Sequence, residues 1–516
     1  MRKKMRSHTF EKWLRRGLAL ALAGAAAVPA MAAPICVQAS SVSGTDNNDT
    51  GKTVTLRICN WEEYIDEGDW GDDEAIDLDD GAIIGKNSLI DDFEDWYYKT
   101  YGVRVKVEYS TFGTNEDLYN MLTLGDVYDL VCPSEYMFMK LMAEGQLQPL
   151  SAHFYDTSDP NNYYAKGVSP YIENIFNTEE IGGEAWSKYA AGYMWGITGF
   201  VYNPQQMSEE EASTWTLLDN PKFRRRITIK DNVRDAYFAA VGAIKSDYLT
   251  SDSFVNSADY SKRLEEEMND TSPEMIQKVQ DYLQDVKNNV YSFETDSGKA
   301  DMITGKVAAN YQWSGDAVYT MDQADEDDYK LDFAVPKEST NIYFDGWVML
   351  KRGIGGDADR QQAAEAFINF ISRPDNAIRN MYYIGYSSVI SGGSDPRIFE
   401  YLKWNYGAED GDADAVDYDV NYFFTGSDQG EYVFKTPKEQ LKRQLSAQYP
   451  STETIKRSSI MIYFDQDKSR MINQMWVNVR CYNIAKAPWW VFVLIAAGGA
   501  FVVYLCVRKV RQARQG

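Results

Sequence analysis

The chain has 516 residues, with 52 Lys and Arg against 77 Asp and Glu and a formal net charge of −25. Seven of the basic side chains lie in residues 1–33 and four in 508–516, which leaves 41 basic against 76 acidic groups between them. So acidic a body repels phosphate backbones and excludes nucleic-acid binding. Hydrophobic residues at 44% and aromatics at 14% are ample for a large core and exclude a disordered chain.

In chain order, Arg2, Lys3, Lys4, Arg6, Lys12, Arg15 and Arg16 precede an apolar run over 17–28 and the small-residue motif Ala30-Met31-Ala32. This is the pattern of an export signal over 1–32. Residues 33–52, polar from 40 onward, read as a flexible leader. Alternation predicts strands over 53–59 and 104–109 and a buried strand over 127–133. Helical spacing predicts helices over 89–101, 116–124 and 136–144, the last closed by Gly145. That β-α-β-α-β-α rhythm implies a mostly parallel sheet with helices on both faces, which binds ligands at the C-terminal ends of its strands.

A second α/β stretch begins near Gly196. It has a strand over 227–230, a helix from about Arg234, a long polar helical region over 261–289 and a strand over 307–313. Strands over 331–336 and 343–350 and a helix over 361–371 resume the pattern, and a last helix is expected over 467–485. The acidic stretches 66–80 and 409–419 read as solvated loops; the second has Ala415 and Asn421 where a calcium loop needs glycine and glutamate. Residues 489–507 carry no charge, with Trp489, Trp490 and Tyr504 at their edges and four basic residues directly after. These features predict a transmembrane anchor over 488–507 and a cytoplasmic basic tail over 508–516. Export and anchor together put residues 40–486 outside the cell.

Cysteine and histidine are scarce. Cys59 and Cys132 each end a strand-like run, and read as two buried thiols or, if those strands are neighbours, a disulfide. No zinc-ligand spacing occurs and no metal or cofactor is implied. His153 is the sole histidine of the exported part, which excludes a Ser/His/Asp triad.

Several runs together resemble the spermidine/putrescine-binding proteins of polyamine ABC transporters, in order and rough spacing, over about 53–400 with a looser continuation to 480. They are Asn60-Trp61-Glu62-Glu63-Tyr64, YDLVCPSEYMFMKLMAEGQLQPL (128–150), GYMWGITGFVYN (192–203), KDNVRDAY (230–237), NYQWSGDA (310–317), VPKESTNIYFDGW (335–347) and FINFISRPDNAIRNMYYIGYSS (367–388). The resemblance implies a type II periplasmic-binding-protein fold. Lobe one would be 53–195 plus 343–395 and lobe two 196–342 plus 396–480, each a mostly parallel sheet flanked by helices. It implies a receptor, not an enzyme, which the predicted C-terminal helix would tether to the membrane. The receptor would capture polyamine between the lobes and deliver it to a permease driven by an ATPase, both of them separate chains.

A polyamine is a row of ammonium groups joined by methylenes. Burying it requires a carboxylate or several acceptors at each nitrogen and flat apolar walls between them, and aromatic faces serve both parts. Carried over position by position, Trp61 and Tyr64 resemble wall residues and Glu63 an acceptor. Ser134 and Tyr136 match cleft positions, and Asp235 and Asp345 the two principal carboxylates. Trp313 matches the aromatic that ends a lobe-two strand, Tyr343 stands where the family often has tryptophan, and Tyr386 matches a tyrosine near the second lobe crossing. The sequence departs from the pattern at Asn232, where an acid is expected; Asp465 is a candidate to replace that charge. The adjacent Tyr382 and Tyr383 point apart on a helix and read as core packing. Acids flanked by aromatics also suit a same-fold receptor for a sugar or other small solute, or a secreted glycoside hydrolase.

Overall fold

The computed structural model describes residues 51–71 and 74–481, together with positions 494 and 497–499. The expected export signal over 1–32 and basic tail over 508–516 lie outside the described residues, as does the leader up to residue 50. The expected transmembrane helix is corrected. Among the described residues no helix is long and apolar enough to cross a membrane, and 488–507 lies, but for 494 and 497–499, outside them.

Two α/β lobes share one continuous sheet. Strands β1 (Thr53–Trp61) and β2 (Arg104–Phe112) pair in parallel through their whole length, and β1 pairs in parallel with the short β3 (Leu130–Val131). Leu56, Ile58, Leu130 and Val131 are fully buried, as strands covered on both faces require. Helix α1 (Leu89–Tyr101) covers this sheet with Leu89, Phe93 and Tyr97, starts on a Ser88 cap and stops at Gly102, which adopts the left-handed conformation.

The second lobe has β5 (Ile227–Lys230) in parallel between β6 (Ser292–Glu294) and β7 (Ala309–Trp313). Joining the two are β4 (Ala190–Tyr202) and β8 (Thr340–Leu350), antiparallel to each other and buried at every position. One end of β8 pairs with β3, and one end of β4 with β7. The mostly parallel pattern expected for each lobe therefore gives way to antiparallel pairing where the chain crosses over. Gly192, Gly196 and Gly199 punctuate β4 because side chains from its neighbours press on it. A Cβ at Gly196 would lie 2.3 Å from Ser314 Oγ and 2.4 Å from Tyr343 Oη.

Other differences have local causes. The helical region expected over 261–289 is two helices, Tyr260–Met268 and Pro273–Asn289, because Pro273 starts a new first turn on a Ser272 cap. The 396–480 stretch divides: Arg397–Tyr406 packs on Pro374–Ile384 and Asn421–Thr425 on Pro170–Thr178, whereas Gln466–Cys481 packs on Pro273–Asn289. Cys59 and Cys132 sit on neighbouring strands, with the Cys132 amide donating to the Cys59 carbonyl, yet both are buried free thiols.

The acidic stretch 66–80 is not wholly solvated. Asp66 is fully buried and accepts from the Gly68 amide at 2.7 Å and Trp70 Nε1 at 3.1 Å, and it is ion-paired with Arg379. Arg379 also reaches Asp92 at 2.6 Å, so it ties the helix Pro374–Ile384 to this loop and to α1. Deleting one partner of a buried ion pair strands the other charge at a cost of about 3–5 kcal/mol. Urea denaturation of Arg379→Ala is expected to show a loss of that size; a loss under about 1 kcal/mol would contradict the assignment.

Candidate functional site

The C-terminal ends of β1, β2, β5 and β7 converge on a cavity of about 610 Å³ between the lobes. After β1 the chain turns at Glu63, whose φ of 53° is in the left-handed region, and sends Tyr64 inward. Helix α2 (Glu135–Ala143) begins just after Ser134, α3 (Val233–Ile244) follows β5, and α4 (Ser314–Glu326) follows β7. Each helix thus points its N-terminus toward the crevice.

Asp345 lies at the middle of β8, opposite a bulge. It pairs with Met194 while Gly346 pairs with Gly192, so Tyr193 is the extra residue. Bulges re-aim side chains next to functional sites. Here Tyr193 Oη donates to the Tyr64 carbonyl at 2.6 Å, and Tyr64 Oη in turn donates to Asp345 Oδ2 at 2.6 Å. Ser134 Oγ donates to Asp345 Oδ1 at 2.7 Å. Both oxygens are held by hydroxyls and Asp345 is only 4% exposed. Burial raises its carboxyl to about 6 against those two hydrogen bonds.

On the other wall Asp235 is also buried, and burial raises it to about 6 while Lys230 and Trp313 oppose the shift. Trp313 Nε1 donates to Asp235 Oδ1 at 3.4 Å. Asn232 caps α3: its side-chain oxygen accepts from the Arg234 amide at 2.7 Å and the Asp235 amide at 3.2 Å. It lines the cavity with that oxygen already engaged.

The aromatic wall is continuous. The Tyr64 and Tyr386 rings meet edge-on at 4.8 Å, and Tyr386 and Tyr343 at 6.5 Å. Tyr343 Oη shares a 3.3 Å hydrogen bond with Ser314 Oγ from the second lobe. Gly315 admits the Tyr386 ring, since a Cβ there would lie 2.1 Å from Tyr386 Cδ2. Tyr136 Oη donates to Glu116 Oε1 at 3.3 Å, and its ring lies 5.0 Å from the Arg234 guanidinium.

The cavity therefore brings together Trp61, Glu63, Tyr64, Ser134 and Tyr136 with Asp235, Trp313, Tyr343, Asp345 and Tyr386, and with Asn232. It does not include Asp465. That residue is exposed and accepts from the Lys468 amide at 2.9 Å, opening the helix Gln466–Cys481. Its carboxylate caps the helix start, while its neighbours Ile462 and Phe464 are engaged by Arg234, which donates to the Ile462 carbonyl at 2.6 Å and lies over the Phe464 ring. Tyr382 and Tyr383 pack against the core as expected, Tyr382 against Trp70 and Trp404, and they also line the cavity, because the last turn before Gly385 opens onto it.

Four charged groups at or beside the cleft escaped the sequence reading. Lys230 and Asp316 lie inside the quoted runs at 230–237 and 310–317, each at a strand end where the ligand rule pointed. Glu135 stands between two chosen residues; burial raises its carboxyl to about 8, and it accepts from the Phe344 amide at 3.1 Å. Lys299 follows β6, a strand whose three residues carry no clear alternation.

Fold and site define a two-lobe receptor for a small solute. The family model described as bacterial extracellular solute-binding protein matches residues 88–398, and the chain belongs to that family. Among curated relatives, it is 26% identical over 350 residues to the spermidine/putrescine-binding periplasmic protein of Escherichia coli K12, covering 67% of this chain and 79% of that one. It is 24% identical over 334 residues to the putrescine-binding periplasmic protein PotF of the same organism, covering 62% and 74%. Among solved structures, the spermidine/putrescine substrate-binding protein PotD of Streptococcus pneumoniae superposes with a TM-score of 0.52 at 22% identity, over 83% of this chain and 99% of that one. The Tp0655 lipoprotein of Treponema pallidum gives 0.54 at 18% identity over the same shares.

The sign of the Asp345 shift gives a test. A carboxyl raised from about 3.9 unfolded to about 6 folded binds its proton more tightly in the native state. Its stabilising contribution is complete below about pH 4 and is lost as pH rises through 6. Asp345→Asn removes this dependence. Melting curves from pH 4 to 7.5 are therefore expected to show the variant gaining on the ligand-free wild type as pH rises; a constant difference would contradict a raised pKa.

Proposed function

We propose that this chain binds a polyamine of the spermidine/putrescine class in the cleft and presents it to the permease of an ABC transporter, whose ATPase is a further separate chain. One observation carries the reading. Asp345 is a buried carboxylate whose oxygens meet only two hydroxyls, and among the described residues no lysine or arginine ion-pairs with it. A desolvated charge in that state calls for a cation, and an ammonium placed there lies among the aromatic faces of Tyr64, Tyr343 and Tyr386. Cation–π attraction adds about 0.5–2 kcal/mol per contact. The curated relatives named for polyamines support the same class, and the role is capture rather than catalysis.

In this reading Trp61, Tyr64, Tyr343, Tyr386 and Trp313 form the walls. Asp345 and Asp235 grip ammonium groups, Ser134 orients Asp345, and Glu63, Tyr136 and Asn232 edge the cleft. Lobe one comprises 53–195 plus 343–395 and lobe two 196–342 plus the end of the chain to 480. The part of the terminal stretch up to about 437 moves with lobe one, on which it packs. Closure follows from contacts that both lobes make with one ligand, which shift an open–closed equilibrium.

Calorimetry on the full-length protein with putrescine, spermidine and a panel of neutral sugars tests the proposal. The amines are expected to bind and the sugars not. Removing one partner of a buried charged pair costs about 2–5 kcal/mol, so Asp345→Asn is expected to weaken amine binding by roughly a hundredfold or more. Unchanged affinity in that variant, or sugar binding in place of amine, would sink it.

A further inference from the structure

The second lobe brings its own cations to the cleft. Lys230 is fully buried, with Nζ 3.9 Å from the Trp313 ring centroid, and it donates to Gln312 Oε1 and the Thr295 carbonyl, each at 2.9 Å. Lys299 lines the cavity and is only 9% exposed. Asp316 lies between them, with Lys299 Nζ 3.6 Å from Oδ1 and Lys230 Nζ 3.7 Å from Oδ2, and it also accepts from Tyr386 Oη at 3.1 Å. Lys299 takes Asp296 as a second partner at 2.5 Å, and Glu63 acts on it from the first lobe.

This arrangement sorts the acids of the cleft. Asp316, Asp296 and Glu63 are turned toward lysines the protein itself supplies. Glu62, Glu67 and Asp69 at the mouth are exposed, so water already solvates them; they attract cations without gripping them. Asn232 lines the cleft without a charge, its side-chain oxygen engaged in capping α3. Glu74 and Asp322 are engaged by the Gly71 amide and by Gln444 Nε2, and the buried Glu135 accepts from the Phe344 amide while burial raises its carboxyl to about 8, so it keeps its proton near neutral pH. Asp345 and Asp235 remain, one on each wall, as ionised buried carboxylates without an ion pair within 4 Å among the described residues. Two such groups match two ammonium charges. A third ammonium finds no unpaired buried acid left to it: beside Lys299 the carboxylates of Asp316 and Asp296 are already taken by lysine, and a further cation there would have to displace that lysine.

We propose, resting on the polyamine reading above, that this cleft selects a diamine over longer polyamines, with Asp345 and Asp235 holding its two ends and Lys299, backed by Lys230, excluding a third ammonium. Lys299 is the specificity-determining residue, and Asn232 the position where a single change adds a carboxylate for a third ammonium.

Calorimetry of the full-length protein with putrescine and with spermidine at pH 7.5 reads the selectivity directly. The wild type is expected to bind putrescine at least tenfold more tightly than spermidine. Lys299→Met is expected to move that ratio toward spermidine by about tenfold. Asn232→Asp keeps a helix-capping oxygen and adds a carboxylate beside Asp235, and it is expected to move the ratio the same way even if the lysine variant folds poorly. A wild type that binds spermidine as tightly as putrescine, or ratios unmoved in both variants, would overturn the inference while leaving the polyamine reading intact. A protein that binds neither amine would overturn both.

Discussion

The structure turns on one uncompensated charge. Asp345 is carried into the interior by a strand buried along its whole length, and its two oxygens are met by hydroxyls rather than by a cation. Hydroxyl hydrogen bonds orient a carboxylate but do not neutralise it. Burial therefore leaves the protein with an electrostatic debt at the centre of its cleft. The bulge at Tyr193, the inward turn after Glu63 and the start of α2 at Ser134 each place one piece of the frame that holds that carboxylate.

The opposite wall solves the same problem differently. Asp316 is as central to the second lobe as Asp345 is to the first, but it is enclosed by two lysines and a tyrosine hydroxyl. One lobe offers an open anionic grip and the other a largely self-neutralised cluster with Asp235 beside it. The aromatic rings run between these two regions and supply a surface that suits methylenes and ammonium groups alike. Recognition in such a cleft depends on which acids are left without partners rather than on how many acids line it.

Much of the architecture was readable before any coordinates. Alternation marked β1, β2 and β5, and helical spacing with a serine cap and a terminal glycine marked α1. The ligand-facing strand ends followed from the β-α rhythm, and the motif runs supplied Asp235, Asp345 and the aromatics now found around one cavity. Long-range partnership was what the sequence concealed. Nothing local says that Asp66 pairs with Arg379, far along the chain, or that Lys299 meets Asp316 across an intervening strand. The reading of Asp465 failed for a related reason: an acid beside a helix start is as well used by that helix as by a distant ligand. The apolar pattern of the C-terminal segment predicted a membrane helix, which the described residues do not contain.

The glycines of β4 bear on how the two halves move. The strand passes from one lobe to the other without a loop, so the lobe closure proposed above would be taken up as twist and bend within a hydrogen-bonded ribbon rather than as rotation about a slack joint. Gly196 lies where Ser314 and Tyr343, one from each lobe, close over the same face of the backbone. The bareness of that one residue lets the ribbon lie flat under both side chains, and a single methyl group there would act as a wedge against the domains coming together.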